Sequence, residues 1–228
     1  MSFLIRVQLP DRPGMLGALA TALGGVHADI LSVDVVERVG GVAIDDLVVE
    51  LPGGRLPDVL ITAAESVDGV EVDAVRPYAG GLDTHRELEL VEQVANDPDN
   101  GLAVFVQGVP RIIRAGWAVA ITVSGDTPMR ISASSAAPET RAVHLPWWPL
   151  ARATVMDGEE AWVPEPWREL GTELAATPLG GPEQALLVGR PGGPMFRAAE
   201  VARLSHLAGI VAAVLAEHRS TKRPTAAR

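Results

Sequence analysis

The residue types best suited to bind a small ligand lie near the amino terminus, in the segment Asp11-Arg12-Pro13-Gly14. Pro13 favours the first turn of a helix, because its missing N–H would have no partner there, and Gly14 permits a ligand to approach the backbone. Unpaired amides at the start of a helix attract an anion. The segment therefore predicts a carboxylate-binding corner, with Asp11 placed to accept hydrogen bonds from an ammonium group.

The residues on either side predict how this corner is positioned. Apolar and polar residues alternate from Phe3 to Leu9, which is the period of a half-buried strand, and apolar residues then recur at helical spacing up to Leu23. The corner therefore joins a strand to the amino end of a helix. The pattern continues with a strand, a turn, a strand, a helix and a strand, at about Asp29–Arg38, Gly40-Gly41, Val42–Leu51, Pro57–Ser66 and Val70–Val75.

This motif, its spacing to Asp29-Ile30 and the order of the elements resemble the ACT domain, a small regulatory module that binds amino acids in many biosynthetic enzymes and transcriptional regulators. The resemblance covers residues 1–79 and implies a ferredoxin-like βαββαβ fold. It also implies a homodimer, in which the ligand lies between the strand-to-helix loop of one copy and the second strand of another. The matching ligand-binding residues are Asp11, Arg12, Pro13, Gly14, Met15, Asp29 and Ile30.

The resemblance also implies a role for each polar group of this site. The amides of Gly14 and Met15 take the carboxylate of an amino acid, while Asp11 and Asp29 accept hydrogen bonds from its ammonium group. Asp29 stands where many ACT domains have asparagine, and its negative charge favours a cationic group. The alternative for Asp11 is that its carboxylate only caps the helix.

A second domain is predicted after a Pro- and Gly-containing linker at Tyr78 to Thr84. Its helices stand before and after a group of strands, and its last helix runs from Phe196 to His218. This layout resembles the GAF domain, a sensory module that binds small molecules or dimerises through its end helices. The resemblance covers residues 86–218, and residues 219–228 are expected to form a disordered tail. The predicted strands are at about Trp117–Val123, Met129–Ser135, Ala153–Met156, Thr172–Thr177 and Ala185–Val188.

The predicted fold class is therefore α+β: a ferredoxin-like ACT domain followed by a GAF-like antiparallel sheet flanked by helices. A second ligand pocket is conceivable in the GAF-like domain, lined by Trp147, Trp148 and Trp162 with His144 to orient a bound molecule. The alternative, which we favour, is that these indole rings fill the core.

Other constellations of polar residues predict no further chemistry. Asp45 and Asp46 are neighbours on a predicted strand and face opposite ways, so they do not form a catalytic carboxylate pair. We expect Asp45 in a solvated position and Asp46 close to a turn. The five histidines show no metal-ligand spacing, so neither a metal nor a cofactor is expected.

Composition limits the classes of partner and compartment. The chain has no cysteine, which excludes disulfides, thiolate metal sites and covalent attachment of a bilin. Its formal net charge of −10 argues against nucleic acid as a partner. The sequence shows no secretory signal and no apolar run of about 18 residues that would span a membrane. We therefore expect a cytoplasmic protein.

These observations predict a non-catalytic regulatory protein that binds an amino acid between paired ACT modules and passes the signal to the GAF-like domain. The runner-up is a dimeric structural adaptor that recruits an unidentified protein partner and binds no ligand. An enzyme with an active site near His144 ranks third, because no nucleophile and base pair or nucleotide-binding loop is visible.

Overall fold

The computed structural model describes residues 1–78 and 86–222, and the chain divides into two compact units, Met1–Asp83 (unit 1) and Thr84–Arg228 (unit 2). Residues 79–84 of the predicted linker and residues 223–228 of the predicted tail lie outside the described residues. Both units combine helices with an antiparallel sheet, so the predicted α+β fold class is confirmed.

Unit 1 has the element order predicted from the hydrophobic pattern, with bounds that agree within two residues for the strands after the corner. The elements are β1 Ser2–Pro10, α1 Met15–Gly25, β2 Asp29–Val39, β3 Val42–Glu50, α2 Asp58–Glu65 and β4 Glu71–Pro77. The strands form one sheet in the order β2-β3-β1-β4, and every pair is antiparallel. This βαββαβ order with β1 and β3 at the centre is ferredoxin-like.

One face of the sheet in unit 1 packs against both helices. The odd-numbered residues of β1 and several of β3 point to this face, where they meet Leu19 and Leu23 of α1 and Leu60 of α2. The buried strand residues of this core are Phe3, Ile5, Val7, Leu9, Ala43, Leu47 and Val49. Burial of this apolar surface is the main source of stability for the unit.

The other face of the sheet carries a buried ion pair at its centre. Arg6 and Asp46 are register partners on β1 and β3, and they are 1% and 0% exposed. Arg6 donates two hydrogen bonds to the Asp46 carboxylate, 2.7 Å from Nε to Oδ1 and 2.8 Å from Nη2 to Oδ2. The expectation that Asp46 lies close to a turn is therefore wrong, since Asp46 is at the middle of β3. A bidentate arginine there replaces the water that the carboxylate loses on burial.

Unit 2 also follows the predicted order of helices and strands, with one short helix that the sequence pattern did not reveal, α5. Its elements are α3 Arg86–Asn96, α4 Gly101–Ile112, β5 Trp117–Ser124, β6 Thr127–Ala133, β7 Thr154–Met156, α5 Glu165–Glu169, β8 Thr172–Pro178, β9 Gln184–Pro191 and α6 Ala198–Lys222. The five strands form an antiparallel sheet in the order β6-β5-β9-β8-β7.

Each face of the sheet in unit 2 has its own core. On one face α3, α4 and α6 bury Phe105, Val109 and Leu204 against alternate residues of β5 and β9. On the other face the long connector between β6 and β7 and the short α5 pack Leu145 and Trp167 against the remaining strand residues. A helical layer thus covers one side of the sheet and a loop-rich layer covers the other.

Helix α6 differs from the sequence prediction in two respects. It continues through Lys222, so residues 219–222 of the predicted tail are helical. Over Ala198–Thr221 it also has the length and apolar composition of a membrane-spanning helix, contrary to the expectation that no such run exists. Its Leu204, Leu207 and Val211 pack in the core of unit 2, while 28% of its apolar window is buried.

A buried arginine joins three segments of unit 2. The side chain of Arg190 on β9 is 0% exposed and donates to the carbonyl oxygens of Ile113, Arg114 and Pro194. It also pairs with Glu200 of α6 at 2.7 Å. One guanidinium group therefore holds the end of α4, the end of β9 and the start of α6 together, and its charge is fully compensated.

Candidate functional site

The predicted corner is an exposed loop between β1 and α1. The N–H of Asp11 donates to the carbonyl oxygen of Gly41 at 2.8 Å, which fixes the start of the loop to the β2–β3 turn. Gly14 has φ of 93°, a left-handed conformation that residues with a side chain rarely adopt. Helix α1 therefore begins only after it, at Met15, and Pro13 lies before the helix instead of in its first turn.

Backbone donors at the start of α1 remain unpaired. Among the described residues, no group accepts a hydrogen bond from the N–H of Gly14, Leu16 or Gly17, and all three residues are exposed. No side chain caps the helix, so the alternative in which Asp11 serves only as a cap is not what the structure shows. The helix start thus presents three free donors to solvent, together with the positive end of its dipole.

A buried carboxylate lies on the same side of the sheet as α1. Asp45 lies on β3 between Ala43 and Leu47, both of which pack against the helices, and its side chain is 3% exposed. Its Oδ1 is buried and has no hydrogen-bond partner. The expectation that Asp45 is solvated is therefore wrong, because strand alternation directs it to the helix-covered face.

The environment of Asp45 affects its ionisation. Burial raises the pKa of the Asp45 carboxyl above its ordinary value, the positive charge of Arg38 lowers it, and the negative charges of Asp46 and Asp11 raise it further. These effects place Asp45, Arg38 and Asp11 within electrostatic range of one another. The side chains of Asp45, Arg38 and Asp11 therefore belong to one electrostatic group.

Arg38 is the cation of this group, and its contact with Asp11 is loose. The distance from Arg38 Nε to Asp11 Oδ1 is 3.8 Å, and the two side chains are 62% and 39% exposed. A solvent-exposed pair of this kind contributes about 0 to 1 kcal/mol to stability. Separating the two side chains therefore costs little free energy.

The structure brings together only part of the predicted ligand site within one chain. Asp11, Arg12, Pro13 and Gly14 are exposed at the corner, whereas the side chain of Met15 is buried in the core. The N–H of Met15 donates to the carbonyl oxygen of Arg12 at 3.4 Å, so the free donors are those of its neighbours.

Asp29 and Ile30 lie at the opposite end of the sheet from the corner. In the sheet register Asp29 pairs with Glu50, and Glu50 pairs with Ser2, whereas Pro10 next to the corner pairs with Val42. The eight residue steps from Ser2 to Pro10 along β1 correspond to about 27 Å. Asp29 therefore reaches a ligand at a corner only if that corner belongs to a second copy.

The aromatic residues of the predicted second pocket are packed against one another. Trp147 lies 6.1 Å from Trp148 and 5.7 Å from Trp162 between ring centroids, and all three border the loop-covered core of unit 2. The indole Nε1 of Trp147 is buried without a hydrogen-bond partner, while His144 is exposed. These rings make the contacts expected of side chains that fill a core.

Metal ligands and surface grooves are the remaining features of the chain that bear on ligand binding. No group of three or more His, Cys, Asp or Glu residues that would hold a metal ion occurs among residues 1–78 and 86–222. Unit 2 has a groove of about 610 Å³ between the β8–β9 turn and α6, lined largely by glycine and alanine, with Glu183 and Arg219 as its charged residues. None of the residues predicted from the sequence to bind a ligand lines this groove.

No protein-family model matches this chain, and no curated protein matches it. Several solved structures are similar to it. The GAF domain of a phosphoenolpyruvate-protein phosphotransferase from Coxiella burnetii is 14% identical, with a TM-score of 0.43, and the match covers 60% of this chain and 96% of that domain. The chromophore-binding domain of a bacteriophytochrome from R. palustris is 10% identical, with a TM-score of 0.43, over 96% of this chain and 92% of that one.

A formyltetrahydrofolate deformylase from Pseudomonas putida is a further similar structure, at 10% identity and a TM-score of 0.29. The match covers 42% of this chain and 39% of the deformylase, so the chain spans well under half of that enzyme's length. GAF domains are thus among the solved structures to which this chain is similar.

Proposed function

We propose that this chain is a non-catalytic, cytoplasmic regulatory protein that binds an amino acid at the corner of unit 1. Unit 1 is the ACT-like module of this proposal and unit 2 is the GAF-like sensory module. The observation that carries it is the set of free backbone donors at the start of α1, in the same loop as the Asp11 carboxylate. The unpaired Asp45 carboxylate lies opposite Val7 in the sheet, three residue steps or about 10 Å along the strand from Pro10 at the corner. A zwitterion complements such an arrangement at both of its charged ends.

The physical roles follow from the two halves of the site. The carboxylate of the amino acid accepts hydrogen bonds from the N–H groups of Gly14, Leu16 and Gly17, where the helix dipole favours negative charge. The ammonium group donates to a carboxylate at the corner, and charge-assisted hydrogen bonds of this type are about twice as strong as neutral ones. Leu16, which is exposed at 39%, offers apolar surface to the ligand's side chain.

Two copies of the chain complete the proposed site. Because Asp29 and Ile30 lie about 27 Å from the corner of their own chain, they contribute only by reaching the corner of a partner. Ligand binding between copies then couples occupancy to the dimer, and a ligand that prefers one arrangement of the copies shifts the population toward it.

The proposal is tested by a thermal-shift screen of the full chain against the twenty amino acids. A ligand present at 100 times its dissociation constant adds about 2.7 kcal/mol to the free energy of unfolding, which a melting curve resolves easily. We expect at least one amino acid to raise the melting temperature, and we expect Gly14→Val to abolish that response, because a branched side chain disfavours the left-handed backbone that exposes the donors.

The matched control is Gly125→Val, at another left-handed glycine, in the β5–β6 turn of unit 2. Like Gly14, Gly125 has nothing within 4 Å of an added Cβ, so the two variants impose similar backbone strain at different places. Sedimentation of the wild-type chain with and without the amino acid measures whether binding strengthens the dimer. Silence toward all twenty amino acids would refute the sensor and leave the dimeric adaptor as the better account.

A further inference from the structure

Two carboxylates of the candidate site have different surroundings. Asp11 is 39% exposed and has Arg38 within 3.8 Å, so it is hydrated and already near a cation. Asp45 is 3% exposed, its Oδ1 has no hydrogen-bond partner, and its side chain points to the side of the sheet on which α1 begins. An amino acid's ammonium group satisfies one carboxylate and leaves the other without a partner.

A buried carboxylate without a partner is costly in an interior where most buried polar groups are paired. The chain's own cations do not remove this cost. Arg6 is committed to Asp46 by two hydrogen bonds on the other face of the sheet, and Arg38 is 62% exposed and contacts Asp11. The group that best complements Asp45 is therefore a cation brought by the ligand.

We propose that Asp45 is a specificity-determining residue that selects an amino acid with a positively charged side chain. This inference rests on the proposed function and restricts the class of amino acid that binds. The ligand's carboxylate lies on the amides of Gly14, Leu16 and Gly17, its α-ammonium group lies near Asp11, and its side-chain cation reaches Asp45. Lysine, ornithine and arginine have this chemistry, and each carries a flexible apolar chain between its charges.

Protonation of Asp45 would remove its charge but would not supply the missing hydrogen-bond partner of its side chain. A neutral carboxyl group is both a donor and an acceptor, and a buried one still needs partners for its polar atoms. Among the described residues, no partner for Asp45 Oδ1 is present in either role. A cationic ligand satisfies the ionised form directly, with charge-assisted hydrogen bonds in a region of reduced solvent.

The test is a calorimetric titration of the full-length wild-type chain with two pairs of ligands that differ mainly in side-chain charge. Lysine is compared with norleucine, and arginine is compared with citrulline. We expect each basic member to bind about tenfold to a hundredfold more tightly than its neutral counterpart, which is the range for one hydrogen bond to a charged group. Because this comparison uses the wild-type chain, it does not depend on the folding of any variant.

The second arm of the test is Asp45→Asn, which keeps the size of the side chain and removes its charge. We expect this variant to bind lysine and norleucine with equal affinity. The matched control is Asp73→Asn, which removes the same charge from an exposed side chain on β4 that accepts a hydrogen bond from Gln8. It should retain the preference for lysine in full.

The outcomes separate this inference from the proposed function. If neutral amino acids bind as tightly as basic ones, or if Asp45→Asn retains the preference for lysine, the role of Asp45 is refuted while the amino-acid sensor stands. If no amino acid binds, the proposed function fails and the inference fails with it. A preference for basic amino acids that disappears only in Asp45→Asn supports both.

Discussion

Removing the charge of Asp45 should stabilise unit 1 in the absence of ligand. The side chain is 3% exposed and its Oδ1 has no hydrogen-bond partner. An unsatisfied buried polar group costs about 1 to 3 kcal/mol and a charged one costs more, so the substitution removes the additional cost of the charge. Asparagine keeps the size of the side chain but has no charge to dehydrate. We therefore expect Asp45→Asn to raise the free energy of unfolding by about 1 kcal/mol or more, although it removes a proposed binding group.

This gain is measurable by calorimetry of the full chain. For a unit of the size of Met1–Asp83, each kcal/mol shifts the melting temperature by about 4 to 8 °C, so the increase should be at least about 4 °C. All five tryptophans lie in unit 2, so their fluorescence identifies the transition of that unit separately. The control Asp73→Asn, at an exposed position, should shift the melting temperature by much less.

The pH dependence of the free energy of unfolding tests independently whether the charge of Asp45 destabilises the folded chain. Because burial raises the pKa of Asp45 in the folded state, the folded chain binds the proton more tightly than the unfolded chain does. The cost of Asp45 is therefore absent below its unfolded pKa, increases as the pH rises, and is complete above its folded pKa. The advantage of Asp45→Asn should be largest at neutral pH and vanish near pH 3.8. A variant less stable than wild type at neutral pH would refute the reasoning, since Asp45 would then have a stabilising partner.

Two further predictions concern the buried ion pairs. Arg190→Met should destabilise unit 2 by about 3 to 5 kcal/mol in urea unfolding, because Glu200 and three carbonyl oxygens lose their donor. Arg203→Met, which removes an exposed pair with Glu87, should cost less than about 1 kcal/mol, and equal losses would contradict the role of burial. Arg6→Met should destabilise unit 1 by a similar 3 to 5 kcal/mol, and adding Asp46→Leu should recover most of that loss, since the remaining buried charge is then removed. A double variant no more stable than Arg6→Met would show that the ion pair itself provides the stability.

Local sequence patterns predicted the elements of both units well because hydrophobic periodicity follows directly from which face of a strand or helix is buried. The two aspartates of β3 show the limit of that reasoning. Alternation correctly placed Asp45 and Asp46 on opposite faces, but we expected Asp45 to be solvated and Asp46 to lie close to a turn. The flanking residues Ala43 and Leu47 carried the signal that Asp45 points into the core. No local signal identified Asp46, because its partner Arg6 is 40 residues away along the chain.

The prediction of the ligand site was incomplete because it did not use the register of the sheet. The turn at Gly40-Gly41 places Val39 opposite Val42, and counting back along the two strands from this pair already places Asp29 far from the corner. The presence of Gly14 in the sequence correctly predicted unpaired amides at the corner. The sequence did not reveal that the free donors next to Gly14 are those of Leu16 and Gly17, while the amide of Met15 is paired. This difference depends on the left-handed turn at Gly14, which delays the start of the helix. Backbone conformation at one residue thus decides which neighbouring amides face a ligand.

The polar groups that this fold leaves unsatisfied are more informative than those that it pairs. Arg6, Asp46 and Arg190 are as buried as any apolar residue, and each is hydrogen-bonded and paired with an opposite charge, so the chain is able to compensate charge where stability requires it. Asp45 and the amides at the start of α1 are not satisfied in this way, and in unit 2 the same holds for Nε1 of Trp147 and Trp167 and for Oγ1 of Thr177. Among these groups, only those of unit 1 combine donors for an anion with a carboxylate acceptor for a cation. A site kept open for a molecule that carries both charges accounts for the unsatisfied groups of unit 1 together.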